Sequence, residues 1–179
     1  SEVIRQVDRM DRILNQLLQL SRLEAGNTTL ALEPVKLLNL IYELLPQWQP
    51  ELKRKQARVI VDIPADAEVM ASRSSLSLMA DNLVGNAIKY GNRGGHIHIR
   101  WQQAPPTLTF TDDGPGIAPE HLPYLFDRFY RADASRTSRI PGTGLGLSIV
   151  KKLADLQGIL IEVNSQEGEG TAFTLRFPD

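Results

Sequence analysis

The chain has 179 residues, of which 42% are hydrophobic and 23% charged, with a formal net charge of -1. This composition is typical of one globular domain with an appended element, and the near-zero charge gives no reason to expect a nucleic-acid partner. Cysteine is absent, which excludes disulfides and thiolate metal sites, and no apolar run approaches the roughly 18 residues that span a bilayer.

Residues 1 to about 25 are predicted to form one long helix that starts part-way into its pattern, so we expect the chain to be a fragment. An alternating 4,3 spacing runs through Val3, Val7, Met10, Leu14 and Leu17, and the stripe is widened by Ile4, Ile13, Leu18 and Leu20. A lone helix cannot bury such a stripe. The pattern favours a bundle helix with missing partners, and the alternative is a core helix lying on the following domain.

The rest of the chain is predicted to alternate between helices and strands. A linker from Gly26 to Pro34 is expected to end in an edge strand at Leu30–Leu32, and a helix over 35–54 is expected to be broken near Pro46 and Pro50. Strands at 58–63 and 69–71 lead to a helix over 73–90 that is capped by Ser72. The remaining elements are strands at 96–101 and 108–111, a short helix near 119–126, a helix over 147–157, and strands at 160–164 and 172–177 joined at Gly168 and Gly170. This order predicts an α+β fold, a two-layer α/β sandwich with helices on one mixed, mainly antiparallel sheet.

The predicted helix over 73–90 carries polar residues on one face. Asn82 and Asn86 are four residues apart and share that face, and Lys89 lies on the same side. Mg²⁺ accepts one amide oxygen when phosphates and waters complete its octahedron, and a Lys can bind phosphate as a point charge. The alternative is the solvated face of an ordinary amphipathic helix.

The segment from Asp112 to Ile117 follows a predicted strand and reads Asp-Asp-Gly-Pro-Gly-Ile. A carboxylate at a strand end can accept a hydrogen bond from an exocyclic amine such as that of adenine. Gly114 and Gly116 would let the backbone pass close to a flat ring. The same letters also fit a plain tight turn.

A glycine-rich loop runs directly into the helix over 147–157. Its residues are Gly142, Thr143, Gly144, Leu145, Gly146 and Leu147. The backbone N–H groups of such a loop, with the helix N-terminus behind them, can bind an anion. The alternative is a flexible loop, against which the alternating leucines argue.

An arginine-rich stretch from 125 to 141 separates the two glycine segments. Net positive charge comes from Arg128, Arg131, Arg136 and Arg139 against Asp127 and Asp133. The pattern predicts a mobile cover over a triphosphate, anchored by Phe126 and Phe129. A surface loop pinned by the two aromatic residues is the alternative.

In their order along the chain, these four segments resemble the N box, first glycine box, F box and second glycine box of sensor histidine kinases. The tail from Glu167 to Phe173 resembles the Gly-Thr-x-Phe element of that family, and the stretch from Leu17 to Gly26 resembles the end of the second helix of its dimerisation and phosphoacceptor hairpin. The resemblance implies the Bergerat-type ATP-binding fold shared with gyrase and mismatch-repair ATPases. It also implies two parts, the hairpin helix at 1–26 and the catalytic domain at 27–179.

The resemblance implies Mg²⁺ and ATP as cofactors. On the phosphate side, Asn86 would bind Mg²⁺ with Asn82 beside it, and Lys89 and Arg131 would contact phosphate. The hinge and phosphate edge of the cover would be formed by Gly142, Gly144 and Gly146.

On the base side, the resemblance implies that Asp112 binds the adenine amine and that Thr171 supports it through water. Tyr90 and Ile117 would line the base pocket. Two departures from the family pattern lie elsewhere, Ser72 where Asp is usual and Gly158-Ile159 where a Gly-Gly pair is common.

The function implied is transfer of the γ-phosphoryl group to a histidine on a dimerisation helix, for relay to the receiver domain of a response regulator. The acceptor is expected upstream of Ser1, because His96 and His98 alternate on a polar strand face and His121 follows the first glycine box. We expect a homodimer in the full protein. We also expect a cytoplasmic position for this chain, with the parent anchored in the bacterial inner membrane through missing segments.

One residue distinguishes transfer from hydrolysis. Related ATPases place a Glu four residues before the magnesium Asn, where it activates water. That position is Asn82, which cannot take a proton, and Asp81 lies about 100° around the helix. The alternatives left open are a hydrolytic ATPase, a serine kinase of the anti-sigma type, and a module that holds nucleotide without turnover.

Overall fold

The computed structural model of the chain describes residues 1–26, 29–131 and 144–179. The helices are α1 (Glu2–Glu24), α2 (Leu37–Lys55), α3 (Arg73–Tyr90) and α4 (Gly146–Gln157), with a short 3₁₀ helix at Pro119–Tyr124. The strands are β1 (Glu33–Lys36), β2 (Arg58–Asp62), β3 (Glu68–Ala71), β4 (His96–Gln102), β5 (Thr107–Asp112), β6 (Leu160–Gln166) and β7 (Gly170–Arg176).

Five of the strands form one mixed sheet in the order β2-β4-β5-β7-β6. The β2–β4 pair is parallel, and the other three pairs are antiparallel. Alternate residues point towards the helices, so Ile99, Phe110 and Phe173 line up across β4, β5 and β7 and are buried. The predicted α+β sandwich with a mainly antiparallel sheet is therefore confirmed.

The prediction of a strand at Leu30–Leu32 is wrong. The strand is β1, three residues later, and it pairs antiparallel with β3 in a separate two-stranded sheet. Val35 is fully buried opposite Val69, whereas Leu32 is exposed. Burial of Val35 against its cross-strand partner sets the register, and that partner could not be identified from the local sequence.

The expected break near Pro46 and Pro50 is also wrong, because α2 is continuous through both prolines. Both are exposed, and they lie four residues apart on the same side as Tyr42. The carbonyl groups that lose a donor, those of Tyr42 and Pro46, therefore face water, which can replace the missing N–H groups. The buried face of the helix, which includes Trp48, continues without interruption.

The apolar residues of α1 divide into two faces. One face packs on the core near α4 and consists of Ile13, Leu17, Leu20 and Leu23. The other is exposed and consists of Val3, Ile4, Val7, Met10, Leu14 and Leu18. Arg128 adds an ion pair to Glu24 at the end of this helix. Within the described ranges, no helix is long and apolar enough to cross a membrane.

The turn between β6 and β7 provides a matched pair of glycines for a stability test. Gly168 and Gly170 both have positive φ, but a Cβ on Gly168 would meet nothing within 4 Å, whereas one on Gly170 would overlap the carbonyl oxygen of Asp112. We expect Gly168→Ala to lower the free energy of unfolding by about 1 kcal/mol and Gly170→Ala by about 3 kcal/mol or more. Urea denaturation of both variants tests this, and equal losses would contradict it.

Candidate functional site

A cluster of three polar side chains, half-buried or buried, lies at the end of β5. The strand register sets Asp112 opposite Thr171 on β7, and Thr171 opposite Ser165 on β6. Thr171 is buried, and its hydroxyl lies 2.9 Å from the Ser165 Oγ. The structure thus brings together Asp112 and Thr171, which are distant in sequence, and adds Ser165.

The Asp112 carboxylate is a hydrogen-bond acceptor in a partly desolvated position, where backbone N–H groups fix its orientation. Burial raises its pKa, as does the charge of the adjacent Asp113, while hydrogen bonds from the backbone N–H groups of Gly114 and Thr171 oppose the rise. The Gly114 N–H lies 2.9 Å from Asp112 Oδ1. A neighbouring donor such as an exocyclic amine would therefore meet a carboxylate with little competing hydration.

The loop after Asp112 is fixed by close backbone packing. A Cβ on Gly114 would lie 3.2 Å from the Tyr90 carbonyl oxygen, and one on Gly116, at φ +75°, would overlap the carbonyl oxygen of Gln166. The Ile117 N–H donates to Ser165 Oγ at 2.7 Å. Gly114 and Gly116 are therefore needed for close approach, and the loop joins the end of α3, where Tyr90 is partly exposed, to the β6–β7 turn.

The two asparagines of α3 lie on the side of the helix that approaches α4. Asn82 Nδ2 donates to the Leu78 carbonyl oxygen at 2.9 Å, and its Oδ1 would lie 2.7 Å from a Cβ on Gly146, the first residue of α4. Asn86 is half-buried one turn further along. The structure therefore brings Asn82, and with it the helix face that Asn86 shares, to the N-terminus of α4.

These residues suit a magnesium ion that is held mainly by its substrate. The described parts of the chain contain no group of three or more His, Cys, Asp or Glu side chains that could hold a metal. One amide oxygen, from Asn86, beside a helix N-terminus fits Mg²⁺ whose other ligands are phosphates and waters. The donor set therefore fits the implied cofactor but not a dedicated protein cage.

Lys89 lies among cations at the end of α3. Desolvation lowers its pKa, as do Arg12 of α1 and Arg131, while Glu51 and Asp81 oppose the shift. Neighbouring positive charges raise the free energy of each other's charged forms, and a polyanion between them would relieve this. The position of Lys89 is thus compatible with phosphate binding, and the positive charge of Arg131 acts on the same position.

The second glycine segment meets the F-box residues at the backbone. Gly144, at φ +73°, accepts a hydrogen bond from the Phe129 N–H at 2.8 Å. Leu145 is fully buried and Leu147 packs against the core, so the segment is not a solvated linker. Gly142 and Thr143, with most of the predicted cover, lie outside the described residues.

The two phenylalanines expected to anchor the cover differ. Phe126 packs edge-on against Phe173 with ring centroids 6.3 Å apart, and its carbonyl oxygen accepts from Ser148 Oγ at 3.0 Å. Phe129 is exposed and contacts Gly144 through its backbone. The prediction that the Phe129 ring is an anchor is therefore wrong, because the ring is exposed and the residue, at φ +62°, is held through its backbone N–H.

Sequence reasoning missed two contacts near the site. Ser165 was overlooked, although a period of two along β6 puts it on the inward side with Ile161 and Val163. Trp48 Nε1 donates to Asp81 Oδ1 at 2.9 Å, a contact between α2 and α3 for which the sequence carries no local signal. It directs Asp81 towards α2.

Comparison with known proteins gives a family for this geometry. Residues 71–179 match the family model described as histidine kinase-, DNA gyrase B-, and HSP90-like ATPase. The phosphate regulon sensor protein PhoR of Pseudomonas aeruginosa is 37% identical over 96% of this chain and 39% of its own length. The sensor histidine kinase YkoH of Bacillus subtilis is 35% identical over 95% of this chain and 37% of its own length.

Solved structures agree with the fold. Full-length ShkA in complex with AMPPNP has a TM-score of 0.82 at 25% identity and covers 97% of this chain and 36% of its own. The histidine kinase ThkA in complex with the response regulator TrrA has a TM-score of 0.75 at 22% identity, covering 98% of this chain and 49% of its own. The chain thus spans about two fifths of the length of the curated relatives it matches.

Proposed function

Because the chain belongs to the family of histidine kinase-, DNA gyrase B-, and HSP90-like ATPases, we propose that it is the catalytic part of a sensor histidine kinase. In this proposal it binds Mg²⁺-ATP and transfers the γ-phosphoryl group to a histidine. The observation that carries the proposal is the convergence of two unlike sites at one edge of the fold. A half-buried carboxylate, Asp112, precedes a loop that packs against the C-terminal end of α3, and Asn82 on the same helix lies against Gly146 at the N-terminus of α4.

The base end would be read by Asp112. Its carboxylate would accept the exocyclic amine of adenine, and the buried Thr171 hydroxyl, bonded to Ser165, would hold a bridging water. Tyr90 and Ile117 would flank the ring, with Gly114 and Gly116 allowing close approach of the backbone. The raised pKa of Asp112, caused mainly by burial, supports a role in binding, since desolvated carboxylates are concentrated at functional sites.

The phosphate end would combine one metal ligand with several donors. Asn86 would hold Mg²⁺, which neutralises phosphate charge when bound, and Asn82 would lie beside it. Lys89 and Arg131 would bind phosphate, and the N-terminus of α4, with the loop from Gly142 to Leu147, would supply backbone N–H groups. The protein would act by positioning and charge stabilisation, as expected for phosphoryl transfer.

Transfer is favoured over hydrolysis because residue 82, four residues before the proposed metal ligand, is an asparagine. Asn82 cannot accept a proton, and its amide already contacts Leu78 and the surface of Gly146. The nearest carboxylate in the sequence, Asp81, accepts a hydrogen bond from Trp48 on the side facing α2. A histidine acceptor needs less activation than water because neutral imidazole is already a nucleophile.

The acceptor and partners would come from outside this chain. The exposed apolar face of α1, which includes Val7 and Met10, would pack in a helical bundle with the acceptor helix and with a second copy in a homodimer. A response regulator receiver domain would then take the phosphoryl group; the related fold of ThkA forms a complex with the response regulator protein TrrA. The parent protein would be membrane-anchored, with this chain on the cytoplasmic side.

Phosphotransfer to a separate helical bundle tests the proposal directly. The chain would be mixed with γ-labelled Mg²⁺-ATP and the dimerisation hairpin of the PhoR relative, with a matched hairpin whose histidine is replaced by Ala as control. We expect an acid-labile, base-stable label only on the histidine-bearing hairpin. Acid-stable phosphoserine would favour the serine-kinase alternative, and phosphate release at the same rate with or without a hairpin would favour a hydrolytic ATPase.

A further inference from the structure

Asp113 follows the proposed base-binding residue Asp112, and both of its carboxylate oxygens contact one residue, His96, of the neighbouring strand β4. Its Oδ1 accepts the backbone N–H of His96 at 2.9 Å, and its Oδ2 lies 3.0 Å from His96 Nδ1. The last registered pair of β4 and β5 is Ile97 with Asp112. The contact between Asp113 and His96 therefore extends the pairing of these strands by one residue, through a side chain.

The same residue holds the turn between α3 and β4. The Asp113 carbonyl oxygen accepts from Asn92 Nδ2 at 3.1 Å. A Cβ on Gly95 would lie 2.6 Å from Asp113 Oδ1 and 2.9 Å from the Asn92 carbonyl oxygen. The turn thus packs around the Asp113 carboxylate, and a side chain at Gly95 would displace that carboxylate.

These contacts bear on Asp112 through Gly114. The Gly114 N–H, which lies in the peptide unit directly after Asp113, donates to Asp112 Oδ1 at 2.9 Å. Fixing Asp113 on His96 and Asn92 therefore fixes the direction of this N–H, which in turn orients the carboxylate of Asp112.

We propose that Asp113 is a positioning residue for base recognition, which sets the selectivity for adenine over hypoxanthine by orienting the carboxylate of Asp112. This inference rests on the proposed function, because it assumes that Asp112 reads an exocyclic amine. Adenosine carries a donor at that position, whereas inosine carries a carbonyl oxygen, which a carboxylate repels.

The test is the ratio of adenosine to inosine affinity, measured by calorimetry on the whole chain. For Asp113→Ala we expect the Kd of adenosine to rise about 5- to 10-fold, while the Kd of inosine changes less than about twofold. Asp113→Asn keeps an oxygen for the His96 N–H and should retain most of the selectivity. Asp62→Ala, which removes an exposed carboxylate paired with Arg100, is the matched control and should change neither constant.

A purely structural role predicts a different pattern. If Asp113 only held the fold together, the two nucleoside affinities would fall in parallel, and that result, or an unchanged ratio, would overturn the inference. Gly95→Ala displaces the same carboxylate without changing Asp113 and should also lower the ratio, so a poorly folded Asp113→Ala would not end the test. A wild-type chain that does not distinguish the two nucleosides would instead contradict the proposed function of Asp112.

Discussion

Asn86→Ala is expected to lower the affinity for Mg²⁺-ATP at least about 100-fold and to abolish phosphotransfer. Loss of an outer-shell partner alone commonly costs 10- to 100-fold in metal affinity, and Asn86 is proposed as a direct ligand. Asn86 would be the main metal ligand that the protein supplies, since the described residues contain no cluster of His, Cys, Asp or Glu side chains that could hold the ion. The charge of the phosphates would then be poorly neutralised at the N-terminus of α4.

Titration of the wild type and the variant with ATP, in the presence and absence of Mg²⁺, measures the effect. Adenosine affinity should stay unchanged, because Asn86 is proposed to bind the metal and not the base. Asn164→Ala, at an exposed amide on β6, is the matched control. Undiminished Mg²⁺-ATP affinity in Asn86→Ala would remove the metal assignment.

Asp112→Asn is expected to weaken ATP binding about 10- to 100-fold while making the nucleotide-free chain more stable. The Asn oxygen can still accept a hydrogen bond from the Gly114 N–H. The NH2 group of the amide, which is a donor, then takes the place of the oxygen that the adenine amine would need as its acceptor. Loss of a hydrogen bond to a charged group costs about 1.5–3 kcal/mol, which corresponds to that range of affinity.

The gain in stability follows from the pKa of Asp112, which burial and the charge of Asp113 raise against the hydrogen bonds of Gly114 and Thr171. As the pH rises, the unfolded carboxyl ionises first and the folded one later, so the folded state binds more protons in between and loses stability. Near pH 7 the ionised Asp112 therefore lowers the free energy of unfolding. An amide at this position carries no such cost.

Thermal unfolding of both proteins from pH 3 to pH 8 checks this prediction. The Tm of Asp112→Asn should exceed that of the wild type near pH 7, and the difference should shrink as the pH falls and Asp112 becomes protonated. A lower Tm at pH 7 would show that the carboxylate stabilises the fold. Unchanged ATP affinity would show that it does not read the base.

Local sequence signals predicted the regular elements well where period and caps agree. The helix over 73–90 begins after its Ser72 cap and ends at Tyr90, as the sequence indicated. The inward period of β4 and β5 was likewise readable, because burial on one face imposes alternation. In such segments the preference of each residue and the demand of the core coincide.

The errors arose where a distant partner decides the local structure. The path of α2 through Pro46 and Pro50 depends on which side of the helix faces water, and the place of β1 depends on the burial of Val35 against β3. The apolar stripe of α1 likewise could not be divided into a packed and an exposed face before α4 was in position. None of these outcomes is encoded within a few residues.

For the candidate site, the sequence by itself determined the chemical groups and their local spacing. It specified a carboxylate before a glycine loop, two asparagines one helical turn apart, and glycines leading into a helix. Only the tertiary structure decided three contacts between distant residues. Asp112 pairs with Thr171 in the sheet, Asn82 lies against Gly146, and Asp113 accepts a hydrogen bond from His96. The physical reason is that strand register and helix packing are fixed by burying the whole core at once, so contacts between distant residues follow from the complete fold.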